Sequence, residues 1–158
     1  MMDTHDAAFA HDAVFASALD RLILLTLLLN DDMERGLREV GLTPSRTGLL
    51  WMLRRLGAVP QKALAEAMRI APRTVTGLVD GLVTTGFVTR EAHPDDRRAF
   101  LVTLTAKGTA AIEKLEADQR EFGRQLFGHM PAERLDGLVT GLDDVLATLH
   151  GLGLRSPY

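Results

Sequence analysis

Cysteine is absent from the 158 residues, which removes disulfides, zinc-thiolate sites, thiol nucleophiles and cysteine-based peroxide sensing at the outset. Long apolar runs are missing too. The longest, Leu22 to Leu29 interrupted only by Thr26, falls far short of the roughly 20 residues needed to span a bilayer. The N-terminal stretch carries Asp3, Asp6 and Asp12 in place of a basic region and cleavable apolar core, so no secretory signal is expected and the chain is read as cytoplasmic. With 46% hydrophobic and 25% charged residues, its length suits one globular domain with a real core.

Recognisable enzyme chemistry is also lacking. Ser17, Ser45 and Ser156 sit in no nucleophile-elbow pattern, there is no phosphate loop, and no carboxylate pair stands in a catalytic setting. His5, His11, His93, His129 and His150 never pair at i+3 or i+4, so a local helical metal site is not indicated. The reading is a non-enzyme without metal or cofactor.

What the chain does have is an uneven distribution of charge. Residues 1–42 carry three basic and eight acidic side chains, residues 43–108 ten against five, and residues 109–158 five against eight. A basic middle between acidic flanks is the pattern expected if only the middle faces a polyanion, although a charge block alone also describes a solvated surface.

Periodicity organises the rest. From about Phe9 to Val40, apolar residues recur at helical spacing with no proline, and between Leu22 and Leu29 they wrap nearly all round. Such a helix needs cover from a partner subunit or from a core built around it. Thr43 and Pro44 open a helix to about Leu56, ended by Gly57. A helix is expected from Gln61 to Met68, then a turn at Arg69-Ile70-Ala71, then a helix opened by Pro72, striped by Val75, Leu78, Val79, Leu82 and Val83 and closed by Gly86. Two short helices around a three-residue turn describe a helix-turn-helix or a plain helical hairpin. Ala65 allows close approach, and Leu64, Ile70, Val75 and Leu78 are the expected shared core.

The period then changes to that of strands over 87–91 and 99–104, on either side of His93-Pro94-Asp95-Asp96-Arg97-Arg98. A hairpin with an arginine-bearing tip after two such helices is the winged form of the motif. Helices follow over Thr105 to Phe127, stopped at Gly128, and after Pro131, where Leu135, Leu138, Val139, Leu142, Val145, Leu146 and Leu149 form an amphipathic stripe.

At this point the sequence resembles the MarR family of bacterial transcription regulators. The likeness is carried by Thr74-Val75-Thr76-Gly77-Leu78-Val79-Asp80-Gly81-Leu82, Gly86-Phe87-Val88-Thr89-Arg90, Pro94-Asp95-Asp96-Arg97-Arg98 and Leu104-Thr105-Ala106-Lys107-Gly108, in that order and spacing. It implies a mainly α fold with a small β-hairpin wing: a winged helix-turn-helix over 43–108, a helical dimerisation region from 9–42 and 109–152, and flexible termini at 1–8 and 153–158. It further implies a homodimeric repressor of double-stranded DNA that releases its operator to a small aromatic or lipophilic effector. A protein-interaction module, or an activator without an inducer, is the alternative.

The expected DNA contacts are Gln61, Lys62, Arg73, Thr74, Thr76, Gly77, Asp96, Arg97 and Arg98. Arg73, Thr74 and Thr76 lie off the apolar stripe near the start of the second helix, where recognition helices meet base edges. Arg97 and Arg98 suit phosphates or a narrow minor groove; the resemblance points to Arg98 as the inserted residue, with Asp96 orienting the tip. Gly77 and Gly81 depart from the family pattern, since many relatives carry basic residues there, so sequence reading is expected to lean on Arg73 and the wing. An effector pocket implied by the resemblance is assigned to Trp51, Met52 and Arg55, an apolar wall with one cation.

Overall fold

Nine elements follow one another in a computed structural model that describes residues 4–92, 94 and 99–154. They are α1 (Thr4–Glu39), α2 (Pro44–Leu56), β1 (Val59–Pro60), α3 (Gln61–Met68), α4 (Pro72–Thr84), β2 (Val88–Ala92), β3 (Phe100–Leu104), α5 (Ala106–Phe127) and α6 (Ala132–Gly151). The mainly helical architecture with a small sheet agrees with the sequence reading. Two particulars differ. α1 begins at Thr4, ahead of the expected Phe9 and inside the stretch read as a flexible terminus. The sheet has three strands, in the order β1-β3-β2, where the sequence shows only a hairpin.

The third strand is short for a physical reason. Val59 and Pro60 pair antiparallel with Val102 and Leu101, and proline, which has no N–H to donate, is tolerated only at such an edge. β2 and β3 pair in register from Val88 with Leu104 to Ala92 with Phe100.

Contacts divide the chain at Pro44 into two units. The first is α1 and its exit. Ile23, Leu24, Leu25, Leu27, Leu28 and Leu29 on this helix are all exposed, whereas Leu37 and Leu42 are buried. Exposure at three consecutive positions means the apolar surface encircles the helix, as its sequence predicts.

The second unit holds the winged core. Leu49, Leu50 and Leu53 of α2, Leu64 of α3, Val75, Val79 and Leu82 of α4, Val88 and Val102 of the sheet, and Ile112 of α5 are fully or almost fully buried. Each such side chain contributes about 1.5–3 kcal/mol relative to an exposed one. Ala65 is buried as expected, while Ile70 and Leu78 are only half-buried. α6 differs from the other helices: it buries no residue, and Leu138, Val139, Leu142, Val145, Leu146 and Leu149 all stay open to solvent.

Helix ends are set by backbone chemistry. After α4 the chain closes with Phe87 N–H donating to the Leu82 carbonyl at 2.9 Å and Gly86 N–H to that of Val83 at 3.0 Å, with Gly86 at φ +76°. This is the Schellman arrangement. The same pair of bonds ends α3, but there Arg69 takes the left-handed conformation at φ 53°. That position makes the turn between α3 and α4 tight.

The junction into α5 explains the Leu104-Thr105-Ala106-Lys107-Gly108 stretch. Thr105 Oγ1 accepts from Gly108 N–H at 3.1 Å, capping α5, and donates to the Gly86 carbonyl at 2.7 Å. Lys107 donates to the Thr85 carbonyl at 2.7 Å, and its ammonium stands 4.4 Å from the centroid of the buried Phe87 ring. One short segment therefore ties α5 to the end of α4 and the start of β2.

Candidate nucleic-acid interface

α4 presents two faces because its apolar residues repeat at helical spacing. Val75, Val79 and Leu82 point into the core, which leaves Arg73, Thr74, Thr76, Gly77 and Asp80 exposed on the other side. Pro72 occupies the first helical position, so these residues belong to the first turns of a well-defined helix.

Neighbouring elements then fix that outward face. Arg90 on β2 forms an ion pair with Asp80 on α4, and the Arg90 side chain is 31% exposed against 57% for Asp80. Gln61, the first residue of α3, completes the connection. Its amide is satisfied at both ends when the oxygen accepts from Arg90 at 3.0 and 3.2 Å and the nitrogen donates to Thr76 Oγ1 at 3.3 Å. Thr76 in turn donates to the Pro72 carbonyl at 3.1 Å. A polar chain thus runs from Asp80 through Arg90 and Gln61 to Thr76, joining α3, α4 and β2.

The expected contact residues separate accordingly. Arg73, Thr74 and Gly77 are exposed together on α4, and Arg73 makes no ion pair among the described residues. Thr76 is exposed but joined to Gln61, itself half-buried. Lys62 projects from α3 with its side chain 87% exposed, 4.0 Å from Glu66 one turn on. Asp96, Arg97 and Arg98 lie outside the described residues.

Asp80 and Arg90 are the residues that sequence reasoning missed here. Asp80 shares the outward face of α4 by simple helical spacing, and that was the available signal. The pairing itself depends on how β2 returns beside α4.

α4 has Arg73 and Asp80 as its only charged side chains, so it carries no net charge of its own. Arg90 offsets the one carboxylate. With that carboxylate offset, Arg73 is left as the net charge of the helix, within a stretch, residues 43–108, of basic composition.

Trp51 and Met52 are half-buried on α2, and Arg55 is exposed. One turn before Trp51, the Thr47 hydroxyl is buried with no hydrogen-bond partner among the described residues. A hollow of about 310 Å³ at the foot of the sheet is lined instead by Pro60, Gln61, Arg90, Ala99 and Phe100. Among the described residues, no helix is long and apolar enough to cross a membrane.

Comparison with known proteins agrees with this architecture. A sequence profile of the MarR family matches residues 42–100. The chain is 32% identical over 88 residues to the transcriptional repressor YetL of Bacillus subtilis, an alignment covering 54% of this chain and 53% of that protein. The chain thus spans about half the length of this curated relative. A crystal structure of a probable transcriptional regulator from Pseudomonas aeruginosa is 30% identical, with 80% of this chain and 98% of that one covered at a TM-score of 0.55. The fold also matches a MepR variant from S. aureus, at 20% identity and a TM-score of 0.66 over 85% of this chain and 97% of that one. With the helix-turn-helix inside the profile match and the three-stranded sheet overlapping its end, the chain belongs to the MarR family of winged-helix transcription regulators.

Proposed function

We propose that the protein is a cytoplasmic, homodimeric transcriptional repressor that binds a pseudo-palindromic operator and releases it when a small aromatic or lipophilic molecule binds. The observation that carries the DNA reading is the exposed face of α4, with Arg73, Thr74 and Gly77 presented together on a helix braced by Gln61 and Arg90. A guanidinium near the N-terminal end of such a helix suits guanine O6 and N7, and threonine suits a phosphate or a thymine methyl. Residues 43–108 would serve as the DNA-binding domain, with Lys62, Asp96, Arg97 and Arg98 as further contacts and Gln61 and Thr76 as both contacts and braces. The similarly folded MepR structure was determined with an oligodeoxyribonucleotide bound, and the relative YetL is a repressor.

Dimerisation through 9–42 and 109–152 is supported by the uncovered apolar surfaces of α1 and α6, since monomeric soluble proteins rarely leave patches of this extent open. Two α4 helices would then enter major grooves about one turn, roughly 34 Å, apart. For the effector, Trp51 and Met52 offer apolar surface, Arg55 a cation, and the orphaned Thr47 hydroxyl a hydrogen bond. Such a ligand releases DNA only by favouring a dimer spacing that does not fit the operator.

The test is fluorescence anisotropy on DNA upstream of the protein's own coding region, across a salt series, with an Arg73→Ala/Arg98→Ala control. Tight, sequence-preferring binding that weakens steeply with salt and collapses in the control is the expected result. Binding that is insensitive to salt and to these arginines would favour a protein-interaction module.

A further inference from the structure

The glycines of α4 are not equivalent. At about 100° per residue, Gly77 and Gly81 share one flank of the outward face with Thr74, while Thr76 and Asp80 share the other. A Cβ built at Gly77 meets nothing within 4 Å. At Gly81 the same construction would fall 2.9 Å from Cζ and 3.1 Å from Nε of Arg46. The guanidinium of Arg46, two residues into α2, therefore occupies the space that a side chain at position 81 would fill. A side chain at position 81 would displace this flexible end, and glycine lets the guanidinium lie against the α4 backbone.

This placement changes what the missing side chain means. α4 has no net charge, and Arg90 corrects that on the Asp80 flank. Arg46 brings a cation to the opposite flank from a different helix. A guanidinium is suited to the role: it is planar, stays charged and carries five N–H donors in a fixed fork, so it can lie against the helix and still offer donors outward. Arg46 is half-buried, not enclosed.

We infer that Arg46 is a DNA-phosphate contact, delivered over Gly81 to the flank of α4 that lacks a basic side chain of its own. The assignment rests on the proposal that α4 enters a DNA groove. The partner it recognises is the phosphate backbone of duplex DNA, so its contribution is independent of base sequence.

The experiment compares wild type, Arg46→Gln and the double variant Arg46→Gln/Gly81→Arg on operator and random duplexes by anisotropy across a salt series, with thermal unfolding recorded for each. Glutamine keeps a long polar chain, so the fold is expected to survive. The expected result for Arg46→Gln is a salt slope shallower by about 0.9 log units per log unit of salt for each subunit, about 1.8 for the dimer, with affinity lost equally on both duplexes and the preference between them unchanged. Restoration of the slope by Gly81→Arg would support the assignment, because a purely structural bridge between α2 and α4 would not be rescued by moving the charge. If wild type binds DNA steeply and Arg46→Gln keeps its slope, Arg46 is structural and the assignment falls alone. If wild type shows no salt-dependent binding to duplex, the DNA reading falls with it.

Discussion

Arg90 holds Asp80 from across ten residues of sequence, and the strand that carries this arginine is thereby tied to the outward face of α4. Through Gln61 the same guanidinium is connected to Thr76. A helix-turn-helix reads DNA only if its second helix is presented at a fixed angle, and here the hydrophobic stripe sets which face points outward while the polar chain limits its rotation against β2. The wing and the helix are thus joined where their surfaces meet.

The pair is expected to affect DNA binding more than folding. Asp80 is exposed and Arg90 half-buried at the surface, and ion pairs open to solvent contribute roughly 0–1 kcal/mol to stability. Arg90→Gln removes a cation and leaves the Asp80 carboxylate uncompensated on the helix, so affinity for duplex should fall. Asp80→Asn removes the carboxylate and should raise affinity without improving base preference. Anisotropy on operator and random duplexes checks both signs, and equal effects of the two variants would refute the electrostatic account.

Gly77 offers a test that separates stability from recognition. It is an exposed helical residue with open space where a side chain would be. Gly77→Ala should therefore stabilise the free protein by about 0.5–1 kcal/mol. If the α4 backbone approaches DNA closely at this point, the same methyl should weaken operator binding. Urea unfolding and anisotropy on one sample would report both, and unchanged affinity would place Gly77 away from the DNA.

Legibility in the sequence followed the range of the interactions involved. α4 was readable because Val75, Val79 and Leu82 repeat at helical spacing, and the same spacing puts Arg73, Thr74 and Gly77 on the opposite face. Strands β2 and β3 were readable from alternation. β1 was not, since two residues carry no period and their pairing with Leu101 and Val102 is made only by the fold. The Asp80–Arg90–Gln61–Thr76 chain and the Arg46 guanidinium over Gly81 were hidden for the same reason. Each depends on side chains from separate elements meeting in space, and a pattern along one element cannot show that.

The junction before α5 should be intolerant of added volume. A Cβ at Gly108 would stand 3.1 Å from the Phe87 carbonyl carbon and 3.2 Å from Leu104 Cδ2, with the Phe87 carbonyl oxygen closer still. The backbone there is held by Thr105 N–H donating to that oxygen at 3.1 Å, so it has little freedom to move. Gly108→Ala should cost about 1–3 kcal/mol. Thr105→Ala, which removes the cap on Gly108 and the bond to Gly86, should cost about 0.5–2 kcal/mol, with Thr105→Ser close to wild type. Urea denaturation measures all three, and a neutral Gly108→Ala would show that β2 and α5 can separate.

Leu142 and Leu146 on α6 distinguish a monomer from a dimer most directly. They are 39% and 50% exposed in the single chain, so in a monomer Leu142→Asp/Leu146→Asp would be a surface change worth little, usually within about 0.5 kcal/mol per site. In a dimer that covers α6, the two carboxylates would be buried in an apolar interface without partners, which is strongly unfavourable. Sedimentation should then show wild type as a dimer and the variant as a monomer, and the concentration dependence of the wild-type melting temperature should disappear in the variant. Operator binding should fall with it, because a single α4 reads only one half-site. A variant that sediments like wild type would place the subunit interface elsewhere, with the apolar surface of α1 as the next to be tested by Ile23→Asp.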